Sequence, residues 1–156
     1  MNTYLLLKSL HIFGVVIFLG NIIVTGWWKV MANRTQNPLI IAFAQHQVTL
    51  TDYIFTLGGV LIILATGFGN VIIHKIDYTS IQWLIWGNYF FIASGIIWVF
   101  ILLPVQIKQA KMVRQFSENQ AIPELYWKLE RIWIIFGLLA TILPLVNLYW
   151  MVFKPI

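Results

Sequence analysis

The chain has 156 residues, of which 60% are hydrophobic and 10% charged, with a formal net charge of +5 and no cysteine. A soluble domain carries roughly a quarter of its residues as charges, so there is too little polar side chain here to cover a water-facing surface. The missing cysteines exclude disulfides, thiolate metal sites, iron–sulfur clusters, thiol catalysis and covalent c-type haem attachment. The basic residues lie in short connections beside apolar runs, where membrane topology accounts for them better than nucleic acid does.

The first element, about Thr3–Trp28, is long enough to cross a hydrocarbon core of roughly 30 Å as one helix. Its polar and small residues are not scattered. Tyr4, Lys8, His11, Gly14, Phe18, Asn21 and Thr25 follow at steps of three or four and share one helical face. A charge, an imidazole and an amide on one stripe of a membrane helix must point at protein or water rather than lipid. No basic region precedes this run and no small-residue cleavage site follows it, so it is expected to stay in the protein and not to be removed as a signal.

Asn37-Pro38 reads as a helix start with proline in the first turn, and the following LIIAFAQHQVTLTD runs toward a second span at about Tyr53–Ile73. This span repeats the pattern of the first: Asp52, Thr56, Gly59, Ile63, Thr66, Asn70 and His74 fall on one face. Gly58, Gly67 and Gly69 lie nearby, so a neighbouring helix or a flat ligand can approach this backbone. The third span, about Gln82–Leu103, carries a weaker stripe of Gly87, Asn88, Phe91, Ser94, Gly95 and Trp98, and QIKQAKMVRQF continues it as helix. SENQAI is the turn, and Pro123 restarts the chain toward a fourth span at about Arg131–Phe153. There Gly137, Thr141, Pro144 and Asn147 are the polar and small positions, and Pro144 is expected to kink the helix and free a carbonyl for a partner.

Lys29, Arg34, Lys108, Lys111, Arg114, Lys128 and Arg131 fall in or beside the two longer connections, against Lys8, Lys75 and Lys154 at the opposite side. That asymmetry places the longer connections in the cytoplasm and both termini outside. The expected fold is all-α: a single-domain, integral membrane four-helix bundle, N-out and C-out, with helical cytoplasmic extensions.

Within it, Lys8 and His11 are the residues hardest to assign to packing alone. Lys8 has a stem long enough to snorkel to the interface. His11 is too deep and too short for that, and reads as a hydrogen-bonded structural histidine, an axial ligand to haem iron or a member of a proton relay. His74, on the same outer side, is the candidate second axial ligand, with Met151 a weaker one. His46 reads as solvated or interfacial. Asn21, Asn70, Asn88 and Asn147 are either helix–helix hydrogen-bonding groups or the lining of a polar path. The glycines, threonines and serine are equally how membrane helices pack. Asp52 is expected to cap its helix or pair with Arg34, Arg114, Lys128 or Arg131. The sequence holds no Gly-rich phosphate loop, no Ser-His-Asp set and no carboxylate pair inside the membrane.

The segments LHIFGVVIFLGNIIVTGWWKVMANRT, FAQHQVTLTDYIFTLGGV, ASGIIWVFILLPVQIKQAK and LYWMVFKP resemble a bacterial family of predicted integral membrane proteins, the domain-of-unknown-function family twenty-two sixty-nine. That resemblance covers nearly the whole chain and brings no assigned reaction. The start LLLKSLHIFGVVIFLGN is also distantly similar to the first helix of HemJ-type protoporphyrinogen oxidases and CopD-like membrane proteins, where a Lys-x-x-His pairing opens a four-helix core. The second likeness implies haem b bound through His11, and it extends to Lys8 and His11 alone.

The leading reading is therefore a b-type haem redox or electron-transfer protein of the bacterial inner membrane. His11 and His74 would be its ligands, Lys8 would pair with a propionate at the outer rim, and Asn21 and Asn70 would line the site. Two alternatives come from other classes. One is a small-solute or proton permease lined by the four asparagines, which needs a homodimer because four helices are few for a transporter. The other is a non-catalytic assembly partner acting through the basic helices. The lipid bilayer is the partner common to all three, no nucleic acid is expected, and the electron-transfer partner is unspecified.

Overall fold

A computed structural model describes residues 2–78, 80–118 and 120–154. The chain forms α1 (Thr3–Arg34), α2 (Pro38–Thr51), α3 (Leu57–Ile73), α4 (Gln82–Ile97), α5 (Leu103–Val113) and α6 (Glu124–Phe153). A π turn at Asp52–Thr56 joins α2 to α3, and another at Trp98–Leu102 joins α4 to α5, so each pair is one continuous rod. In both turns the following amide reaches back five residues, Leu57 N–H to the Asp52 carbonyl and Leu103 N–H to that of Trp98. The second turn has a visible cause. Pro104 has no N–H to give and its ring crowds the carbonyl four residues back, so the ladder slips by one.

Four helices, Thr3–Arg34, Pro38–Ile73, Gln82–Val113 and Glu124–Phe153, are long and apolar enough to cross a membrane. They correspond to the four expected spans but run further at the end that carries the basic connections. The apolar runs in the sequence stop at Lys29, Asp52 and Arg131, whereas the helices do not, because Lys29 and Asp52 are buried against neighbouring helices. The expected start signals are used. Asn37 accepts from the Leu39 and Ile40 amides at 2.9 and 3.3 Å with Pro38 in the first turn, and Pro123 precedes α6. The expected SENQAI turn lies between α5 and α6, and its Asn119 is outside the described residues.

Packing divides the bundle into two halves. Toward the termini, α1 lies along α3 and α4 along α6, and among the described residues α3 approaches neither α4 nor α6. At the basic end α1, α2, α5 and α6 close into a bundle. A seam of small residues ties α1 to α3: a methyl group placed on Gly14 would sit 3.2 Å from the Gly59 carbonyl, and one on Gly59 would sit 3.0 Å from the Gly14 carbonyl. Backbones this close leave room for hydrogen only. The α4–α6 pair uses the expected proline device. Pro144 frees the carbonyl of Ala140, and the Ser94 hydroxyl donates to it at 2.8 Å. Between the pairs, Phe18, Leu19 and Ile63 form an apolar layer that Phe91 of α4 reaches.

Candidate functional site

His11 sits in the α1–α3 seam. Its Nδ1 lies 3.1 Å from the Ile63 carbonyl and 3.2 Å from the Thr66 hydroxyl oxygen. A carbonyl can only accept, so Nδ1 carries the proton and Nε2 keeps its lone pair. Gly67 makes the seat possible, since a methyl group there would meet the ring's Cε1 at 3.2 Å.

The other residues expected around it are not gathered there. His74 is exposed, with its ring edge-on to Tyr4 at 5.4 Å. It is seven residues beyond Gly67, and Tyr4 is seven before His11, so both helices place His74 two turns, roughly 10 Å, outward of His11. Two nitrogens on one iron stand about 4 Å apart, at about 2 Å each. As these helices place them, His11 and His74 are too far apart for both rings to reach one iron. Met151 packs on Gly87 at the terminal end of the α4–α6 pair. Among the described residues no group of three or more His, Cys, Asp or Glu gathers as a metal site. Lys8 is exposed and makes no ion pair with the described residues, and its stem is long enough to reach the interface. Asn70 keeps a buried Oδ1 without a partner, as does Asn147, and Asn88 turns back onto the Leu84 carbonyl at 2.7 Å.

Asn21 belongs to a different cluster, one that begins where the apolar layer ends. Its Nδ2 donates to Asp52 Oδ1 at 3.0 Å and to Thr56 Oγ1 at 2.9 Å, and the Thr56 hydroxyl donates to the same carboxylate oxygen at 2.9 Å. Asp52 thus takes neutral donors from α1 and from its own π turn in place of the arginine or lysine partner expected for it. The turn swings Asp52 inward, against α1, while Arg34, Arg114, Lys128 and Arg131 all remain exposed.

Below it, the bundle of α1, α2, α5 and α6 encloses a second cluster. Lys29 Nζ pairs with Glu130 Oε2 at 2.9 Å and donates to Gln109 Oε1 at 2.9 Å, while Gln109 Nε2 donates to the same Glu130 oxygen at 2.7 Å. Asn33 donates to Glu130 Oε1 at 2.7 Å and is held in turn by the Tyr126 hydroxyl at 3.2 Å. The face of Trp133 covers the ammonium at 3.8 Å from the ring centre. Lys29 and Glu130 are 1% and 3% exposed, so this pair is desolvated in a way surface ion pairs never are.

Two openings adjoin these clusters. A cleft of about 320 Å³, bordered by Arg34, Gln36 and Arg131, reaches Glu130 and Asn33 from the basic end. A cavity of about 40 Å³ lies further in, between the two π turns, lined by Asp52, Thr25, Gln106, Trp133 and Thr141 among others. Trp133 therefore borders both the Lys29 ammonium and this cavity. Cleft, ion pair, cavity and Asp52 form a polar column that stops at the Phe18–Leu19–Ile63 layer.

The sequence reading missed Lys29, Glu130, Gln109, Gln106 and Asn33 as site residues. A signal was available. The stripe Asn21, Thr25 continues at steps of four to Lys29 and Asn33, and Tyr126, Glu130, Trp133, Gly137, Thr141 runs at steps of three or four on α6. Ending each stripe at the last apolar residue hid it.

With the geometry in hand, a family model described as a predicted integral membrane protein (DUF2269) matches residues 5–155. No curated protein and no solved structure matches the chain.

Proposed function

The chain belongs to this family of predicted integral membrane proteins, DUF2269, and on that premise we propose that it is a permease for protons or a small cation, with its basic end in the cytoplasm of a bacterial inner membrane. One observation carries the reading. Among the described residues the buried acidic and basic side chains are Lys29, Asp52 and Glu130, formally one positive against two negative. A net negative charge held away from water is costly unless it is neutralised, and ionisable groups inside membrane helices mark ion paths more often than not. An ion entering through the cleft meets Glu130 first. Gln109 and Lys29 then connect that carboxylate to the cavity in front of Asp52. The apolar layer beyond Asp52 keeps the column closed toward the termini, so release requires that layer to part or a second copy to complete the path.

Reconstituted vesicles test it directly. Under an imposed pH or sodium gradient, wild-type vesicles are expected to dissipate the gradient faster than empty ones, and Asp52→Asn is expected to slow this by roughly tenfold or more. Wild-type vesicles no leakier than empty ones under either gradient overturn the reading.

A second reading keeps haem b on a narrower basis. Donation of Nδ1–H to a main-chain carbonyl, with the other nitrogen left its lone pair, is how axial histidines are oriented. A five-coordinate haem on His11 alone predicts a Soret band in protein expressed with ample haem, lost in His11→Ala. A spectrum without that band removes it.

A further inference from the structure

Resting on the ion-handling reading, we propose that the small cavity between the two π turns is the seat of one monovalent cation, held by Asp52, Thr25, Thr141 and the side-chain amide of Gln106.

The lining presents oxygens with their lone pairs turned inward. The Thr25 hydroxyl spends its proton on the Asn21 carbonyl at 2.7 Å, and the Thr141 hydroxyl spends its own on the Gly137 carbonyl at 2.8 Å. Each is left with acceptor capacity only. Asp52 adds a carboxylate whose Oδ1 is fixed by Asn21 and Thr56. Three oxygen-bearing side chains from α1, α6 and the first π turn thus border one space, a hard-oxygen environment that suits an alkali cation and repels an anion.

Gln106 supplies an independent sign of a ligand. It is 2% exposed, borders the cavity beside Asp52, and its side chain approaches that carboxylate without its Nε2 completing a well-formed hydrogen bond. Buried amides are rarely left so. Half a turn about its last bond replaces that idle donor with the carbonyl oxygen, which gives the cation a fourth oxygen.

Charge selects the ion. About 40 Å³ is open to the centres of water-sized molecules, where about 10–15 Å³ suffices for one water, so a small cation fits with room for water beside it. One positive charge brings Lys29, Asp52 and Glu130 to neutrality, while a divalent ion overshoots it. Lys29 is hydrogen-bonded to Glu130 and Gln109 and also attracts Asp52, so one ammonium is shared between two carboxylates and one more positive charge is wanted.

Purified protein in detergent provides a test that needs no transport. Thermal unfolding is followed in sodium, potassium or choline chloride at matched ionic strength, with ²³Na line broadening on the same samples. Sodium is expected to raise Tm saturably, potassium less, and choline not at all. Asp52→Asn is expected to abolish both the rise and the broadening. Thr141→Val, which keeps side-chain shape and removes one oxygen, is expected to weaken sodium affinity by roughly tenfold while Tm in choline stays near wild type. This second variant covers the case in which Asp52→Asn fails to fold. A wild-type Tm indifferent to the choice of cation overturns the site, as does a sodium response unchanged in Thr141→Val. Proton flux in vesicles without a sodium-specific Tm rise overturns this site and leaves the permease reading standing. Saturable sodium binding without flux supports the site and overturns the permease reading.

Discussion

At the end carrying the termini, α1 and α3 meet glycine to glycine, and α4 and α6 are tied by one serine at a freed carbonyl. At the basic end, Lys29, Asn33, Gln109, Tyr126 and Glu130 satisfy one another across three helices. The contrast follows from the solvent on each side. Between helices in hydrocarbon there is no hydrophobic drive to association, so close approach of backbones does the holding. Near the interface, a sequestered polar network fixes which helices meet, and every member must be bonded. The two halves should therefore fail in different ways.

The largest effect is expected from Lys29→Met. It strips the ammonium from between two carboxylates and leaves two buried negative charges without a counter-charge. Breaking a buried pair by removing one partner costs about 3–5 kcal/mol, and chemical or thermal unfolding in detergent should register a loss in that range. Glu130→Gln is the sharper comparison. It leaves Lys29 with Asp52 and the buried array neutral, so its loss should be smaller than that of Lys29→Met. Equal losses would mean that the net charge of the array does not matter, and would weaken the ion-handling reading with it.

Next comes the seam. Alanine at Gly59 places its methyl 3.0 Å from the Gly14 carbonyl and 3.1 Å from the Phe18 amide nitrogen, backbone atoms that cannot step aside singly. The helices must separate, at a cost of about 1–3 kcal/mol for overpacking. Gly20→Ala on α1 meets nothing within 4 Å and should be neutral or gain up to about 1 kcal/mol of helix propensity. Loss at position 59 with none at position 20, measured in the same unfolding assay, places the terminal half's stability in the seam.

Ser94→Ala should cost about 1 kcal/mol, since membrane hydrogen bonds average roughly 0.6 and reach 1.7. Pro144→Ala changes that expectation. With an N–H restored at position 144, the Ala140 carbonyl regains its helical partner, and Ser94→Ala in that background should cost close to nothing. A cycle of the four proteins reads this coupling directly, and additive losses would mean that the serine bond does not depend on the proline.

Much of the architecture was legible in advance because its causes are local. Asn37-Pro38 starts a helix, Pro144 frees a carbonyl, and apolar length makes a span, whatever lies around them. The site was legible only in part. The stripe on α1 was visible, but charge was read as a boundary, and Lys29 entered the topology count instead of the interior. Nothing local in the sequence distinguishes a lysine that faces water from one roofed by Trp133 and paired with a residue 101 positions away. The π turns were equally hidden, although Pro104 accounts for one of them. They rotate Asp52 and Leu102 relative to an unbroken helix, and a strict period of 3.6 does not anticipate that.

The smallest effects separate the two residues that first drew notice on α1. Lys8 and His11 are three apart and share a stripe, yet Lys8 is exposed while His11 is bonded to α3. Lys8→Ala should leave stability within about 0.5 kcal/mol, as a surface substitution does. His11→Ala removes the donor to the Ile63 carbonyl and opens a gap against Gly67. It should cost roughly 0.6–1.7 kcal/mol, the range of a membrane hydrogen bond. His11→Asn refines the point, because a shorter amide can donate to the carbonyl without filling the seat beside Gly67. Partial recovery in asparagine assigns the loss to the hydrogen bond, and none assigns it to the ring's contact with the glycine. Either outcome makes His11 a rivet of the α1–α3 seam, and the polar column that begins at Asn21 should keep its ion response in both variants.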